Sequence, residues 1–242
     1  METVIFEEGI DLKELPHDVF HSCEVLVNIQ IPNTVTSIGS YSFCSCVRLK
    51  EITIPNLVTL VADHVFQECK LLSSIVFGEK VDTIGVEAFS GCYNLKNLTV
   101  PDTVTTFKEY AFHNSGLASI TIGKNVNAIE RQAFLDCSDL KYIRYNGVKE
   151  PKFGEDPFSG VPASTVYVGK EYEGKTFGGI QVTVDGEKKP EPEPEPEDPE
   201  KSNSDKTKLI LAITIPAAVV VIVVVVVIVV ITKRKKEFNA FQ

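Results

Sequence analysis

Two histidines four residues apart, His17 and His21, enclose an acidic residue, Asp18. On a helix that spacing puts both imidazoles on one face, and with a carboxylate beside them it is the arrangement of a hydrolytic zinc site. The six cysteines, Cys23, Cys44, Cys46, Cys69, Cys92 and Cys137, form the other reactive set. Thiols can bridge one another, hold a metal or act as nucleophiles. No Cys-x-x-Cys knuckle, Gly-rich phosphate loop or nucleophile elbow accompanies them.

The elements that must carry these residues follow a strict period. A 23-residue unit recurs from Ile29 to Ile143, with Phe43, Phe66, Phe89, Phe112 and Phe134 in one slot and Cys46, Cys69, Cys92 and Cys137 three places later. Self-similarity of this length marks a solenoid, whose units bury an apolar face only by stacking on neighbours. In the copy from Leu49 to Cys69, Ile52 and Ile54 alternate as in a strand. Phe66, Cys69 and the following Leu72 fall at i, i+3 and i+6, which predicts a short 3-10 or α turn. Each unit is therefore read as strand, corner and short helical turn. One residue is missing where Ser115-Gly116 forms the corner, and Val4 to Leu15 opens the array with about two extra residues.

Set on this frame, the reactive residues lose most of their chemistry. Phe20 occupies the core slot, and His21 aligns with Cys44, Gln67, Ser90 and His113 at a variable outer position; His64 is likewise on the outer turn. Cys23, Cys46, Cys69, Cys92 and Cys137 lie on the ladder, where free cysteine serves as a small buried hydrophobe. Ser115 fills the same slot, which argues against obligatory bridging, although coils about 4.8 Å apart would permit it. Cys44 stands off the ladder and is expected to be exposed. No catalytic residue, metal ligand or cofactor site is assigned.

The consensus Leu-x-x-Ile-x-Ile-Pro-x-x-Val-x-x-Ile-Gly-x-x-Ala-Phe-x-x-Cys resembles the repeat of BspA-like surface antigens, a leucine-rich-repeat subclass, over residues 4–182. The closing segment, Tyr142 to Gly147 through Val166-Tyr167-Val168 and Tyr172 to Val182, is similar to that family's end. The resemblance implies a leucine-rich-repeat solenoid of α/β type, with short strands and short helical or 3-10 turns, over residues 1–183 including its cap. It also implies a role in attachment to host cells, matrix or other microbes.

Beyond the array the composition changes. Residues 184–208 include Lys188 to Glu200, in which Pro and Glu alternate. Fixed φ angles and repelling carboxylates predict an extended stalk, in which Lys188 to Lys208 would span roughly 60 Å at about 3.1 Å per residue. Residues 209–232 contain an uncharged apolar run from Leu209 to Ile231, long enough for a single transmembrane helix. The basic group Lys233, Arg234, Lys235 and Lys236 opens the 233–242 tail; the positive-inside rule makes it cytoplasmic, where it would anchor to anionic lipid. Phe238 and Phe241 loosely resemble a sorting signal for trafficking adaptors.

The repeats would then face outward at the plasma membrane. The chain carries a net −9; the tail from Lys233 holds four basic residues and one Glu, so the remainder carries −12. Such an acidic exterior disfavours nucleic acid and anionic membrane surfaces as partners. Met1 to Glu8 contains no signal-peptide pattern, which leaves three alternatives: the span itself directs export of the repeats, further sequence lies upstream, or the chain is tail-anchored with cytosolic repeats and reduced thiols.

Function is assigned to the outward side chains of the strands. They are Asn28, Gln30, Glu51, Thr53, Ser74, Val76, Asn97, Thr99, Ser119, Thr121, Tyr142 and Arg144, with Tyr142 and Arg144 as anchors for protein or matrix ligands. Asn97-Leu98-Thr99 is a glycosylation sequon on the same face.

Overall fold

A computed structural model describes residues 2–7 and 9–185. The stalk, membrane helix and basic tail read from the sequence lie outside the described residues. No helix among the described residues is long and apolar enough to cross a membrane.

The chain winds as a parallel β-solenoid of seven coils and a cap. The first side of each coil is a strand: β1 (Thr3–Val4), β3 (Asn28–Ile29), β5 (Glu51–Thr53), β7 (Ser74–Val76), β9 (Asn97–Thr99), β11 (Ser119–Ile122) and β13 (Tyr142–Tyr145). In the cap, β15 (Thr165–Val168) and β17 (Ile180–Val184) continue the column. Register follows the repeat, with Glu51 opposite Ser74, Asn97 opposite Ser119 and Ser119 opposite Tyr142.

The second side is also a strand. β2 (Glu14–Leu15), β4 (Ser37–Ile38), β6 (Leu60–Val61), β8 (Thr83–Ile84), β10 (Thr106–Phe107), β12 (Ala128–Ile129) and β14 (Lys152–Phe153) occupy the stretch read from sequence as a corner. Each is two residues long with the second side chain inward, too short to display alternation.

The third side corrects the expected helical turn: the described residues contain neither α nor 3-10 helix. Each coil places two residues four apart in the left-handed region, for example Tyr41 (φ 58°) with Ser45 (φ 59°), and His64 (φ 55°) with Glu68 (φ 57°). This reversal splits the donors. The N–H groups of Phe43 and Ser45 reach forward to the carbonyls of Val65 (3.0 Å) and Gln67 (2.7 Å) in the next coil. Those of Cys44 and Cys46 turn back to Tyr41 (3.0 Å) and Phe43 (3.1 Å). A helix would keep every donor inside its own coil, whereas this pattern stitches the coils together through their polar backbone.

Left-handed conformation costs a non-glycine residue about 1–2 kcal/mol, and Gly91 and Gly160 show that glycine fits the Glu68 slot in other coils. Glu68→Gly is therefore expected to stabilise the protein by about 0.5–1 kcal/mol, since the exposed Glu68–Lys70 pair contributes little. A urea titration checks this against Gln67→Gly, which removes a side chain bonded to Glu87 and should lower the midpoint.

Inside, the rings of Phe20, Phe43, Phe66, Phe89, Phe112, Phe134 and Phe158 stack in one column, with successive centroids 5.0–5.6 Å apart. The aliphatic side chains of both strand columns close around it. At the far end β16 (Thr176–Phe177) folds back antiparallel to β17 and buries Phe177 against Tyr145, Phe153 and Phe158. That lid ends the stack with a different packing, as a terminal unit must.

Candidate ligand-binding face

Alternation along the first strand column sends Ile52, Leu98, Ile120, Ile143 and Val166 inward and their neighbours outward. The outward set contains all twelve residues assigned from sequence. Asn28, Gln30, Glu51, Thr53, Ser74, Val76, Asn97 and Thr99 are exposed, whereas Ser119, Thr121, Tyr142 and Arg144 are half-buried. Register brings them into two parallel rows, one through Asn97, Ser119 and Tyr142 and the other through Thr99, Thr121 and Arg144. Asn97 is engaged along its row: its Oδ1 accepts a 2.7 Å hydrogen bond from the Ser119 hydroxyl, so the sequon amide sits on the open face tied to the next coil.

The face extends further than the twelve residues assigned from sequence. Thr165, Tyr167, Gln181 and Thr183 of the cap continue both rows. Alternation in Thr165-Val-Tyr-Val is the sequence signal that points to this extension. The Tyr167 ring stacks on Tyr142 with centroids 4.8 Å apart and planes inclined 22°. Arg144 is not a free cation, because Asp185 pairs with it and its Nε donates to Asn146 Oδ1 at 2.9 Å. Burial and the Asp185 carboxylate act on the guanidinium in opposite directions, and the net effect raises its pKa. Tyr142 and Arg144 are thus held in place by their neighbours.

The histidine motif resolves into the outer turn. His17 is exposed, and His21 Nδ1 lies 3.2 Å from Asp18 Oδ1. His64 stacks on Tyr41 at 4.4 Å with its Nδ1 3.8 Å from a Glu87 carboxylate oxygen, and His113 Nδ1 meets the Ser90 hydroxyl at 3.4 Å. Among the described residues no three His, Cys, Asp or Glu side chains are grouped to hold a metal ion.

None of the six cysteines is bridged to another. The ladder thiols tie coil to coil, because Cys46, Cys69, Cys92 and Cys137 each donate Sγ–H to the Phe carbonyl of the preceding coil at 3.0–3.2 Å. Ser115, in the same slot, is also buried and places its hydroxyl 3.3 Å from Cys137 Sγ of the next coil. Cys44 departs from the expectation of exposure: it is buried, with its thiol 3.7 Å from Gln67 Oε1. The outer turn packs coil against coil closely enough to cover it.

Burial pushes Cys46 up to about 12 and Cys137 up to about 11, and also raises Cys69 and Cys92. A thiol raised in the fold stays protonated where the unfolded chain, at 9.0, has ionised. Its stabilisation is complete below pH 9 and is lost as pH climbs toward the folded value. We expect iodoacetamide at pH 8 to label Cys23 in the native protein and all six thiols only after denaturation, and stability to decline above about pH 9. Mass spectrometry of the labelled peptides and urea midpoints from about pH 7 to about pH 10.5 check both.

The fold and face define a leucine-rich-repeat protein. A family model described as "BspA type Leucine rich repeat region" matches residues 13–160 in six copies, and the chain belongs to that family. Similar solved structures include a leucine-rich-repeat protein of T. pallidum, 28% identical with TM-score 0.60, covering 66% of this chain and 76% of that one. A leucine-rich-repeat protein from Bacteroides ovatus is 21% identical with TM-score 0.49, covering 75% of this chain and 59% of that one. A leucine-rich cell surface protein from Faecalibacterium prausnitzii is 17% identical with TM-score 0.37, covering 77% of this chain and 73% of that one. Among curated proteins none matches.

Proposed function

We propose that this chain is a single-pass cell-surface protein that binds extracellular protein or matrix ligands through the outward face of its first strand column. The observation that carries the reading is the run of outward, mostly small polar side chains on that face. They stand in hydrogen-bonded register within β5–β7 and from β9 through β17, while the apolar side chains are committed to the core. Such a surface has no structural duty of its own, and extended solenoid surfaces of this kind serve recognition. Leu209 to Ile231 would hold the chain in the plasma membrane, with Lys233 to Lys236 on cytoplasmic lipid and Phe238 and Phe241 available to trafficking adaptors. The role is non-catalytic.

One observation favours a second reading. Six unbridged cysteines suit a reducing compartment, which fits a tail-anchored scaffold whose repeats face the cytosol. Labelling an epitope at the amino end of unpermeabilised cells decides between them. The surface reading expects staining, and removal of the repeats by external protease; staining only after permeabilisation establishes the cytosolic scaffold instead.

A further inference from the structure

On the binding face, the Tyr142 ring has Tyr167 against one side, while its other side looks back over β11 and β9. There the register neighbour is Ser119, followed by Asn97, with Thr121 and Thr99 in the adjoining row. The result is a step: an aromatic wall rising from a floor of hydroxyl and amide groups. Thr99 is exposed and Thr121 half-buried, so both side chains lie on the open side of the strands.

The chemistry of the step selects its occupant. An aromatic wall wants a flat apolar face, and a hydroxyl floor wants hydrogen-bonding groups around the rim of that face. A pyranose ring carries both. Charge narrows the class, because among the described residues the ionic groups of the face are Glu51 and the mutually neutralised Arg144–Asp185 pair. Cations stand on the rim, where Lys50 and Lys141 lead into their strands and Lys96 is paired with Asp139 at 3.0 Å. A basic peptide finds no complementary field on the face itself, and a neutral ligand meets no opposing one.

We infer that the step formed by Tyr142 and the Ser119–Thr121 floor binds a neutral oligosaccharide, with one pyranose lying flat on the side of the Tyr142 ring away from Tyr167 and the chain running across the strand column. This inference rests on the strand face being the binding surface, as proposed above, and specifies its ligand as glycan rather than polypeptide.

The test uses the full chain in a sugar-free detergent, with immobilised linear hexamers of β-1,4-glucose, β-1,4-N-acetylglucosamine and α-mannose, heparin as an anionic comparator, and a matrix glycoprotein before and after enzymatic deglycosylation. Binding to at least one neutral hexamer is expected. It should weaken at least about tenfold in Tyr142→Ala and in Thr121→Val, the latter keeping shape while removing the hydroxyl. Tyr142→Phe should retain it, and Leu60→Ser, on the other strand column, should leave it unchanged. Heparin as the preferred ligand, no binding to any hexamer, or equal binding by Tyr142→Ala overturns the glycan inference. Tyr142-sensitive binding to the deglycosylated protein alone overturns it too, while preserving the strand face as a polypeptide-binding surface. Binding to none of the probes removes both readings.

Discussion

Replacing Phe89 with alanine is expected to remove about 4 kcal/mol of stability, the range found for deleting a buried ring. Phe89 sits fully buried in the middle of the column, stacked on Phe66 at 5.5 Å and Phe112 at 5.6 Å, with the edge of Phe77 at 6.4 Å. Against a typical domain stability of about 5–15 kcal/mol such a loss is severe. Its form is as informative as its size. In a solenoid each coil contacts only its neighbours, so weakening the centre lets the two halves unfold separately. The urea transition followed by circular dichroism should move to lower denaturant and broaden. Phe20→Ala, at the open end with one stacking neighbour, should cost less, and Phe89→Leu less again because most of the volume is kept. An end substitution as damaging as the central one would mean that the column is not the stabilising element.

That column is legible in the sequence because stacking forces one residue type into one slot at one spacing. Phe43, Phe66, Phe89, Phe112 and Phe134 repeat for the same reason that their rings touch. The outward side of the strands is legible for a related reason, since Ile52 and Ile54 fix which side is inward and so place Glu51 and Thr53 outside. The second strand column is not. Leu60–Val61 offers one exposed and one buried side chain, and two residues define no period. The turn misleads because Phe66, Cys69 and Leu72 have the spacing of a helical turn, whereas the left-handed residues that break the helix, His64 and Glu68, belong to types that carry no such mark. The burial of Cys44 depends on the coil next door, which a repeat alignment places but does not measure. The role of Tyr167 and the restraint of Arg144 by Asp185 are tertiary facts, arising where the cap meets the last coil.

The shortened corner at Ser115-Gly116 supplies the other large effect. Gly116 donates its N–H to the Cys92 carbonyl at 3.0 Å, and a Cβ on it would lie 1.8 Å from the Tyr93 carbonyl oxygen and 2.5 Å from its carbon. Those are backbone atoms of the preceding coil and cannot swing aside as a side chain can. Gly116→Ala must therefore push coil against coil, and a loss of about 2–3 kcal/mol is expected. Gly169→Ala is the matched control, because nothing lies within 4 Å of its added methyl, and it should stay within about 0.5 kcal/mol of wild type. Thermal unfolding of the pair measures the difference; equal midpoints would show that the corner has slack. The displacement also bears on recognition. Gly116 leads directly into β11, whose first residues hang on one carbonyl, with Ala118 N–H and Ser119 N–H reaching Lys96 O at 2.7 Å and 3.0 Å. Shifting that corner moves Ser119 and Thr121 relative to the Tyr142 ring. Gly116→Ala should accordingly weaken ligand binding even at temperatures where the protein remains folded, an effect that Gly169→Ala does not share.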